Sequence, residues 1–355
     1  MIVLLTSNYD GGILQFACQM KREMEALYGD VVLFAPDNCV PGCLPDDARI
    51  YRRENSIVPF EKKYKSIAKN IEKLHPDVVF ACDSNLITSR IITELKKNIS
   101  VVMCVHDVNP HPNYGGKVVQ LKNMMKMPYV HRGWRRADKI LLLSEHSFKG
   151  FKEKYPQFTN KLDVLKLGAH VPNVCGIEPP EMHGINEEYF LFFGRIDKYK
   201  GIGNLLKAFR EVNDKVHTHL VIAGNGHLTE EEQSLIEKST NGITLIKRYI
   251  TDEEMVWLFE NAKCLVLPYI EASQSGVLSM SYYFGKKVIV SNLEGLTEFV
   301  EKGVTGDVFQ DNIELEKCLL AYDKMETKKD EAVLEYYSDK LDWKSGIHRC
   351  LTEMV

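Results

Sequence analysis

The stretch that decides the fold is Tyr189-Phe-Leu-Phe-Phe-Gly-Arg-Ile-Asp-Lys-Tyr-Lys-Gly201, which the helical pattern Leu205-Leu-Lys-Ala-Phe209 follows at once. A continuous apolar run that ends in glycine and leads into a helix is typical of a strand buried on both faces of a parallel sheet. Two cations, Arg195 and Lys200, lie on the loop between these elements. Cations beside the free amides of a helix start suit a phosphate group. Two solvated basic residues on a surface loop are the alternative.

The alternation of short apolar runs with helical segments extends over nearly the whole 355-residue chain. It predicts an α/β fold with parallel sheets and right-handed crossovers. Residues 171–188 interrupt the alternation with Pro172, Pro179 and Pro180, which indicates a connection between domains. We therefore predict a doubly wound domain at residues 1–170, a linker at 171–188, a second such domain at 189–328, and a C-terminal helical segment at 329–355 that docks back on the first domain.

Charge and cysteine content narrow the class of protein. Lys and Arg number 45 against 49 Asp and Glu, a net charge of −4 that gives no general reason to bind nucleic acid. No apolar run approaches the roughly 20 residues that span a bilayer, and the apolar start predicts a buried first strand rather than a signal peptide. The 9 cysteines include no C-x-x-C pair, which predicts free thiols and a cytoplasmic setting.

A second glycine motif ends the run Leu220-Val-Ile-Ala-Gly-Asn-Gly226. A dinucleotide fingerprint has the pattern G-x-G-x-x-G, but its third glycine is replaced by Thr229. The motif therefore predicts a tight turn at Gly224 that lets the backbone approach a ligand. A nicotinamide-dependent oxidoreductase is accordingly a weak alternative.

The third motif is Leu265-Val-Leu-Pro-Tyr-Ile-Glu-Ala-Ser-Gln-Ser-Gly-Val277, with Gly295-Leu-Thr-Glu298 downstream. Glu271 follows a buried strand, and its carboxylate could accept two hydroxyl hydrogens. The amides from Ser273 to Gly276 open the next helix and could face an anion. A glutamate that caps a helix or pairs with a cation is the alternative.

The first half of the chain has two further candidates. Gly11 and Gly12 join the first strand to the first helix, where amides could approach a phosphate or a sugar, or could simply form a turn. His106 follows a strand, with Asp107 next to it as a group that could orient the imidazole. A structural histidine is the alternative.

A basic segment covers residues 117–139, where apolar residues are interleaved and Asp138 is the only acid. It indicates either a solvated helix or contact with an anionic membrane or a lipid-diphosphate acceptor. We assign six of its basic residues to an acceptor or membrane patch, together with Asp107, which precedes the segment. The six are Lys117, Lys122, Lys126, Arg132, Arg135 and Arg136.

In combination, the motifs G-R-x-x-x-x-K-G, A-G-x-G, P-Y-x-E-x-S-Q-S-G-V and G-L-x-E resemble the nucleotide-sugar domain of a retaining GT4-type (group 1) glycosyltransferase of the GT-B fold. They occur in order across residues 189–309. The resemblance implies two facing Rossmann-like domains, a deep cleft between them, and a C-terminal helix that crosses back.

The resemblance also assigns roles to residues. It implies that Arg195 and Lys200 hold the donor diphosphate, that Glu271 holds the transferred sugar, and that His106 lies beside the sugar and the acceptor; these four are the implied catalytic residues. The implied donor-binding residues are Gly11, Gly12, Gly194, Arg195, Lys200, Gly224, Glu271, Ser273, Gln274, Ser275, Gly276, Val277 and Ser279.

The chain departs from the family at two positions. The family has a second glutamate eight residues after the first, which binds the ribose, and Ser279 stands there. Its shorter hydroxyl is a weaker candidate for the same contact. Glu294 replaces the first glycine of the usual G-G-x-x-E.

The resulting hypothesis is a glycosyltransferase that moves a sugar from a UDP- or GDP-linked donor to a hydroxyl of a glycan or lipid-linked glycan. The sequence contains no D-x-D pair, so we expect neither a metal nor another cofactor. Retention of anomeric configuration and a role in cell-surface polysaccharide synthesis follow from the resemblance. We expect a cytoplasmic protein, peripheral at the inner face of the plasma membrane, with no nucleic-acid partner. A catalytically weak subunit that partners an active transferase is the main alternative, because of Ser279.

Overall fold

A computed structural model describes residues 1–9, 11–39, 44–52, 61–108, 117–239, 242–352 and 354. The chain divides into two compact units, one formed by Met1–Lys166 with Trp343–Val355 and the other by Leu167–Asp342. Each unit is built around its own parallel sheet with helices. The α/β fold class predicted from the alternation of apolar runs is confirmed.

The first unit contains a seven-stranded sheet in the order β3-β2-β1-β4-β5-β6-β7. Its elements in chain order are β1 (Ile2–Leu5), α1 (Gly11–Tyr28), β2 (Val31–Pro36), β3 (Arg49–Tyr51), α2 (Glu61–Glu72), β4 (Val78–Ala81), α3 (Leu86–Thr93), β5 (Ser100–Val105), α4 (Lys117–Arg136), β6 (Lys139–Leu142), α5 (Glu145–Lys154) and β7 (Leu162–Val164). A 3₁₀ turn at Pro156–Lys161 precedes β7. All described strand pairs are parallel.

The second unit contains a six-stranded parallel sheet in the order β10-β9-β8-β11-β12-β13. Its elements are β8 (Tyr189–Phe193), α6 (Ile202–Val212), β9 (His219–Ala223), α7 (Glu230–Lys238), β10 (Ile243–Ile246), α8 (Asp252–Asn261), β11 (Cys264–Leu267), α9 (Gly276–Tyr283), β12 (Val288–Ser291), α10 (Glu294–Thr297), β13 (Gly306–Phe309), α11 (Asn312–Asp323) and α12 (Glu331–Lys340). Short 3₁₀ turns lie at Pro180–Met182, Lys198–Lys200 and Asn213–Lys215.

The strand orders locate the functional end of each sheet. The order reverses between β1 and β4 in the first unit and between β8 and β11 in the second. In open parallel sheets, ligands bind outside the carboxyl ends of the strands at such a switch point, where successive crossovers turn to opposite faces. The loop after β8 and the loop after β11, which carry the first and third motifs, therefore start side by side.

The C-terminal segment contributes to both units. Helix α12 packs on α9, with the rings of Tyr282 and Tyr336 at 5.6 Å between centroids. The last helix, α13 (Trp343–Leu351), belongs to the first unit, where the buried Trp343 ring lies 5.8 Å from that of Phe16 in α1. The guanidinium of Arg349 also donates to the Asp163 carboxylate at 2.8 Å. Within the predicted segment 329–355, α12 thus belongs to the second unit and α13 to the first. None of the helices in the described residues combines the length and the hydropathy needed to cross a bilayer.

Candidate functional site

Three glycines bring the loops after β8 and β9 into backbone contact. The amide of Gly194 donates to the oxygen of Ala223 at 3.0 Å. Gly224 has φ +151°, and a Cβ added there would lie 1.8 Å from the oxygen of Gly194. A Cβ added at Gly226 would lie 2.0 Å from the oxygen of Ile196. Since any side chain would collide with main chain, the A-G-N-G motif is needed for loop-to-loop packing, which is compatible with the predicted tight turn.

The loop after β8 also lies against the loop after β11. The amide of Ile270 donates to the oxygen of Tyr199 at 2.8 Å. Gly201 has φ +67°, and a Cβ there would lie 1.8 Å from the oxygen of Pro268. These contacts hold the segment with Arg195 and Lys200 beside the segment that leads to Glu271.

Lys200 is half-buried between two aromatic rings. Its Nζ lies 3.6 Å from the centroid of the Tyr269 ring and 5.1 Å from that of Tyr199. Burial lowers the pKa of Lys200 to about 8, because loss of water disfavours the ammonium. An anionic partner beside Lys200 would therefore strongly stabilise its charged ammonium form.

Arg195 is the more accessible of the two cations. Its side chain is 54% exposed, and its Nε lies 3.6 Å from Oδ2 of Asp197. Its guanidinium carbon is 5.9 Å from the centroid of the Tyr199 ring. An exposed guanidinium with planar donors can reach an incoming phosphate.

The third motif places a helix start at the same end of the sheet. Ser275 is the N-cap of α9, and its hydroxyl oxygen accepts from the amide of Leu278 at 3.4 Å. The side chain of Val277 lies 3.8 Å from the position of a Cβ on Gly194, so the helix start adjoins the loop after β8. Gln274 is half-buried, and among the described residues its Oε1 has no hydrogen-bond partner. Glu271 and Ser273 are half-buried on the loop that leads to the helix.

Gly295 supports this loop from below. A Cβ at Gly295 would lie 2.5 Å from the oxygen of Ala272 and 2.7 Å from that of Ser273. The downstream glycine of G-L-x-E is therefore needed for close packing of α10 under the loop. Glu294, which replaces the preceding glycine of the family, is exposed.

Ser279 points its hydroxyl hydrogen at main chain. The side chain is buried, and Oγ donates to the oxygen of Leu167 at 2.6 Å. Leu167 and His170 also lie against the first turn of α9, 3.5 and 3.7 Å from the position of a Cβ on Gly276. His170 is a further candidate residue of the site at the start of α9. The sequence motifs do not identify it, because it lies on an irregular segment far from α9 in the chain.

The first unit has a buried polar cluster at its own switch point. Asp83, two residues after the end of β4, is buried and accepts from the amide of Ser7 at 2.9 Å, from Nδ2 of Asn8 at 3.0 Å and from the amide of Asn85 at 3.2 Å. It ties the loop after β1 to the loop after β4. Sequence reasoning missed Asp83, although a carboxylate at the end of a buried strand was a visible signal.

His106 lies after β5, at the same end of this sheet. Its Nε2 donates to the oxygen of Cys82 at 2.8 Å, and its ring is nearly perpendicular to that of Phe16, with 4.9 Å between the centroids. Burial lowers the pKa of His106, so the neutral ring is favoured at pH 7. Because a carbonyl oxygen only accepts, the proton is on Nε2 and Nδ1 is the basic nitrogen. Asp107 is exposed next to it in the chain.

Gly11 and Gly12 begin α1 and are both exposed. Gly11 has φ +68°, and no described atom lies within 4 Å of a Cβ position on either glycine. Among the described residues, this leaves open space beside the amides of the helix start, which is compatible with a bound group there.

Helix α4 makes up most of the basic segment, and the side chains of Lys117 and Lys122 lie outside the described residues. Lys126, Arg132 and Arg135 are exposed. Arg136 instead donates to the main-chain oxygens of Lys96 at 2.8 Å and Ile99 at 2.7 Å, so it stabilises the fold.

The second half of the chain is similar to known glycosyltransferases. Residues 177–337 match the family model "Glycosyl transferases group 1". A curated relative, an uncharacterized glycosyltransferase of Methanocaldococcus jannaschii, is 25% identical over 122 residues, which are 34% of this chain and 31% of that protein.

Solved structures extend the likeness to the whole chain. HepE of Anabaena, in complex with UDP and glucose, has a TM-score of 0.71 at 15% identity and covers 99% of both chains. WaaG, a glycosyltransferase involved in lipopolysaccharide biosynthesis, has a TM-score of 0.67 at 16% identity and covers 100% of both chains. Residues 177–337 are therefore similar to the glycosyl transferases group 1 family, and the chain as a whole has the GT-B fold.

Proposed function

We propose that this protein transfers a sugar from a nucleotide-diphosphate sugar to a hydroxyl of a glycan or lipid-linked glycan acceptor. The observation that carries the proposal is the convergence of Lys200, Arg195 and the start of α9 at the carboxyl ends of β8 and β11. These groups supply positive charge where an open parallel sheet binds ligands. HepE, which shares the fold, was solved with UDP and glucose, and this supports the donor class.

The site chemistry would be electrostatic. Transfer places negative charge on the departing diphosphate, and preorganised cations and amides that meet this charge are worth about 3 to 4 kcal/mol per donor group removed. Lys200 and Arg195 would hold the diphosphate, with the first amides of α9. We propose that this positive charge replaces a metal ion, in line with the absence of a D-x-D pair from the sequence.

Glu271 and His106 would act on hydroxyl groups. The carboxylate of Glu271 would accept hydrogen bonds from the transferred sugar. The neutral ring of His106, with Nε2 held by Cys82, would accept a hydrogen bond at Nδ1 from a hydroxyl of the sugar or the acceptor. With retention of configuration, the acceptor hydroxyl would attack from the side of the leaving group, and the departing phosphate would take its proton.

Polysaccharide synthesis at the inner face of the plasma membrane is the biological setting that we propose. Helix α4 supports it, because Met124 and Met125 are each 69% exposed and share the helix with the exposed Lys126, Arg132 and Arg135. Basic residues beside exposed apolar ones suit an anionic lipid surface. WaaG, which shares the fold, takes part in lipopolysaccharide biosynthesis.

A catalytically weak subunit that partners an active transferase is the second candidate. It is favoured by Ser279, whose hydroxyl hydrogen is committed to Leu167 where the family has a ribose-binding carboxylate. Such a subunit would bind nucleotide sugars and transfer none.

The test is a thermal-shift panel of UDP-, GDP- and ADP-sugars and NAD(P), with EDTA present throughout. We expect stabilisation by one class of nucleotide sugar, lost in Lys200→Ala and kept in Lys207→Ala, an exposed lysine of α6 that pairs with Glu231 at 2.8 Å. Stabilisation by NAD(P) alone would contradict the proposal. Mass spectrometry of products with a lipid-linked acceptor then separates the two candidates, since binding with neither transfer nor slow hydrolysis favours the subunit.

A further inference from the structure

Two short segments of the second unit run side by side in opposite directions. Tyr199 pairs with Ile270 through the 2.8 Å bond from amide to oxygen, and Gly201 packs on the oxygen of Pro268. Lys200 and Tyr269 are the central residues of the two segments and therefore face one another. The backbone contacts on either side leave neither residue free to move along the other.

The Lys200 ammonium lies over the face of the Tyr269 ring. The distance of 3.6 Å from Nζ to the centroid is well inside the roughly 6 Å limit of a cation–π contact. The ring of Tyr199 is more distant, at 5.1 Å. Tyr269 is thus the nearer of the two aromatic partners.

Tyr269 is fixed in place. Its side chain is buried, and its main-chain oxygen accepts from the hydroxyl of Ser291 at 2.7 Å. Burial raises the pKa of Tyr269 to about 12, so its ring stays neutral wherever Lys200 titrates. A neutral, immobile ring offers a constant negative face to the ammonium.

We propose that Tyr269 is a positioning residue, which holds the Lys200 ammonium ready for the donor diphosphate by offering its ring face in place of water. The inference rests on the proposed function for the identity of the anion. A lysine without this contact would lose part of its charge and would sample several rotamers, and ordering them costs affinity on binding. Tyr269 itself does not touch the diphosphate in this scheme.

The first experiment compares Tyr269→Phe with Tyr269→Leu. We expect Phe, which keeps the ring, to bind UDP within about twofold of wild type, and Leu to bind it at least about fivefold more weakly at pH 7, a loss of the size expected for a desolvated cation–π contact. The weakening should be larger at pH 8, where Lys200 without the ring is less protonated. A merely structural role would lower the melting temperature in Leu without a change in this pH profile.

A second variant keeps the test decisive if Tyr269→Leu does not fold. Difluorophenylalanine at position 269 keeps the size of Phe but weakens the negative face of the ring, so we expect UDP affinity between those of Phe and Leu. The control is Tyr283→Leu, an exposed tyrosine at the end of α9, which should leave UDP affinity within about twofold of wild type. Equal losses in Phe and Leu, or wild-type affinity in Leu, would overturn the inference.

Lysine side-chain NMR of the ligand-free protein separates this inference from the proposed function. We expect the Lys200 signal, identified by its absence in Lys200→Arg, to titrate at lower pH in Tyr269→Leu than in Tyr269→Phe. If UDP, GDP and ADP all fail to bind wild type while this shift is seen, the proposed function fails and Tyr269 still holds Lys200. An unchanged titration would reject the role of Tyr269 itself.

Discussion

The buried hydroxyl of Ser279 donates a 2.6 Å hydrogen bond to the main-chain oxygen of Leu167. The side chain is only 2% exposed, and Leu167 packs against the first turn of the same helix. The space at position 279 therefore fits a serine whose hydroxyl binds main chain. A longer, charged side chain at position 279 would need more space and contact with water, which a buried position beside Leu167 does not offer.

We predict that Ser279→Glu does not improve nucleotide binding. Burial of an unpaired carboxylate in a filled site should lower the free energy of unfolding by about 3 kcal/mol or more. Ser279→Ala should cost about 1 to 2 kcal/mol, because the oxygen of Leu167 loses its donor, with UDP affinity within about twofold of wild type. Urea unfolding and UDP titration measure both effects. Tighter UDP binding by the Glu variant would show that the ribose contact can be restored here.

The pKa of Lys200, about 8, predicts a pH dependence of nucleotide affinity. A bound diphosphate raises this pKa, so binding takes up a proton and affinity should fall by up to about tenfold per pH unit as pH rises above 8. Calorimetry in buffers of different ionisation enthalpy measures the proton uptake. Lys200→Arg stays charged throughout and should lose the dependence; if it keeps the dependence, another group is responsible.

The same lysine predicts a trend in stability. Its pKa is lower in the folded protein than the ordinary 10.5, so between about pH 8 and 10.5 the unfolded chain binds a proton that the folded chain lacks. The Lys200 contribution to the free energy of unfolding should therefore rise with pH across this window. Urea unfolding of wild type and Lys200→Met at several pH values isolates it, and a difference that does not change with pH would contradict the assignment.

Gly201→Ala should be strongly destabilising. Its Cβ would lie 1.8 Å from the oxygen of Pro268, and its φ of +67° adds a cost of about 1 kcal/mol. Gly303→Ala is the matched control, because Gly303 has φ +80° in the same unit and no described atom within 4 Å of the new Cβ. We expect a loss of about 1 kcal/mol for the control and of more than about 3 kcal/mol for Gly201→Ala by urea unfolding. Similar losses would mean that the close approach to Pro268 is not present.

Asp83 and Asp77 flank β4 and should differ sharply in their effect on the first unit. Asp83→Ala leaves the amide of Ser7 and Nδ2 of Asn8 without their buried acceptor, at a cost of about 2 to 4 kcal/mol. Asp77 is exposed and pairs with the N-terminal amine at 2.7 Å, and Asp77→Ala should cost far less than Asp83→Ala. Chemical unfolding tests both, and equal losses would argue against the buried cluster.

The exposed cations of α4 should control binding to anionic vesicles. Replacement of Arg132 and Arg135 by Gln should weaken binding by about 2 kcal/mol, roughly thirtyfold, and the loss should shrink at high salt. Lys207 and Arg210 on α6 are exposed too, and their replacement by Gln is the control. Sedimentation with phosphatidylglycerol vesicles measures binding. If the wild-type protein does not bind such vesicles, the membrane proposal is wrong.

The local features of this protein are legible in the sequence alone. Continuous apolar runs and helical periods predict the parallel α/β sheets, because burial on both faces of a strand requires them. The turns at Gly194 and Gly224 also follow from local composition, since their φ values of +121° and +151° suit glycine, and the helix start near Gly276 follows from the small polar loop before it.

Contacts between distant segments were decided by tertiary structure. Lys200 meets Tyr269 because β8 and β11 are neighbours in the sheet, and Ser279 meets Leu167 across 112 positions of the chain. Asp83 meets Ser7 for the same reason, since β1 adjoins β4. The order of strands in a sheet depends on how whole crossovers pack, which no local pattern records, so the partners that set the charge of Lys200 and the burial of Ser279 appear only in the folded chain.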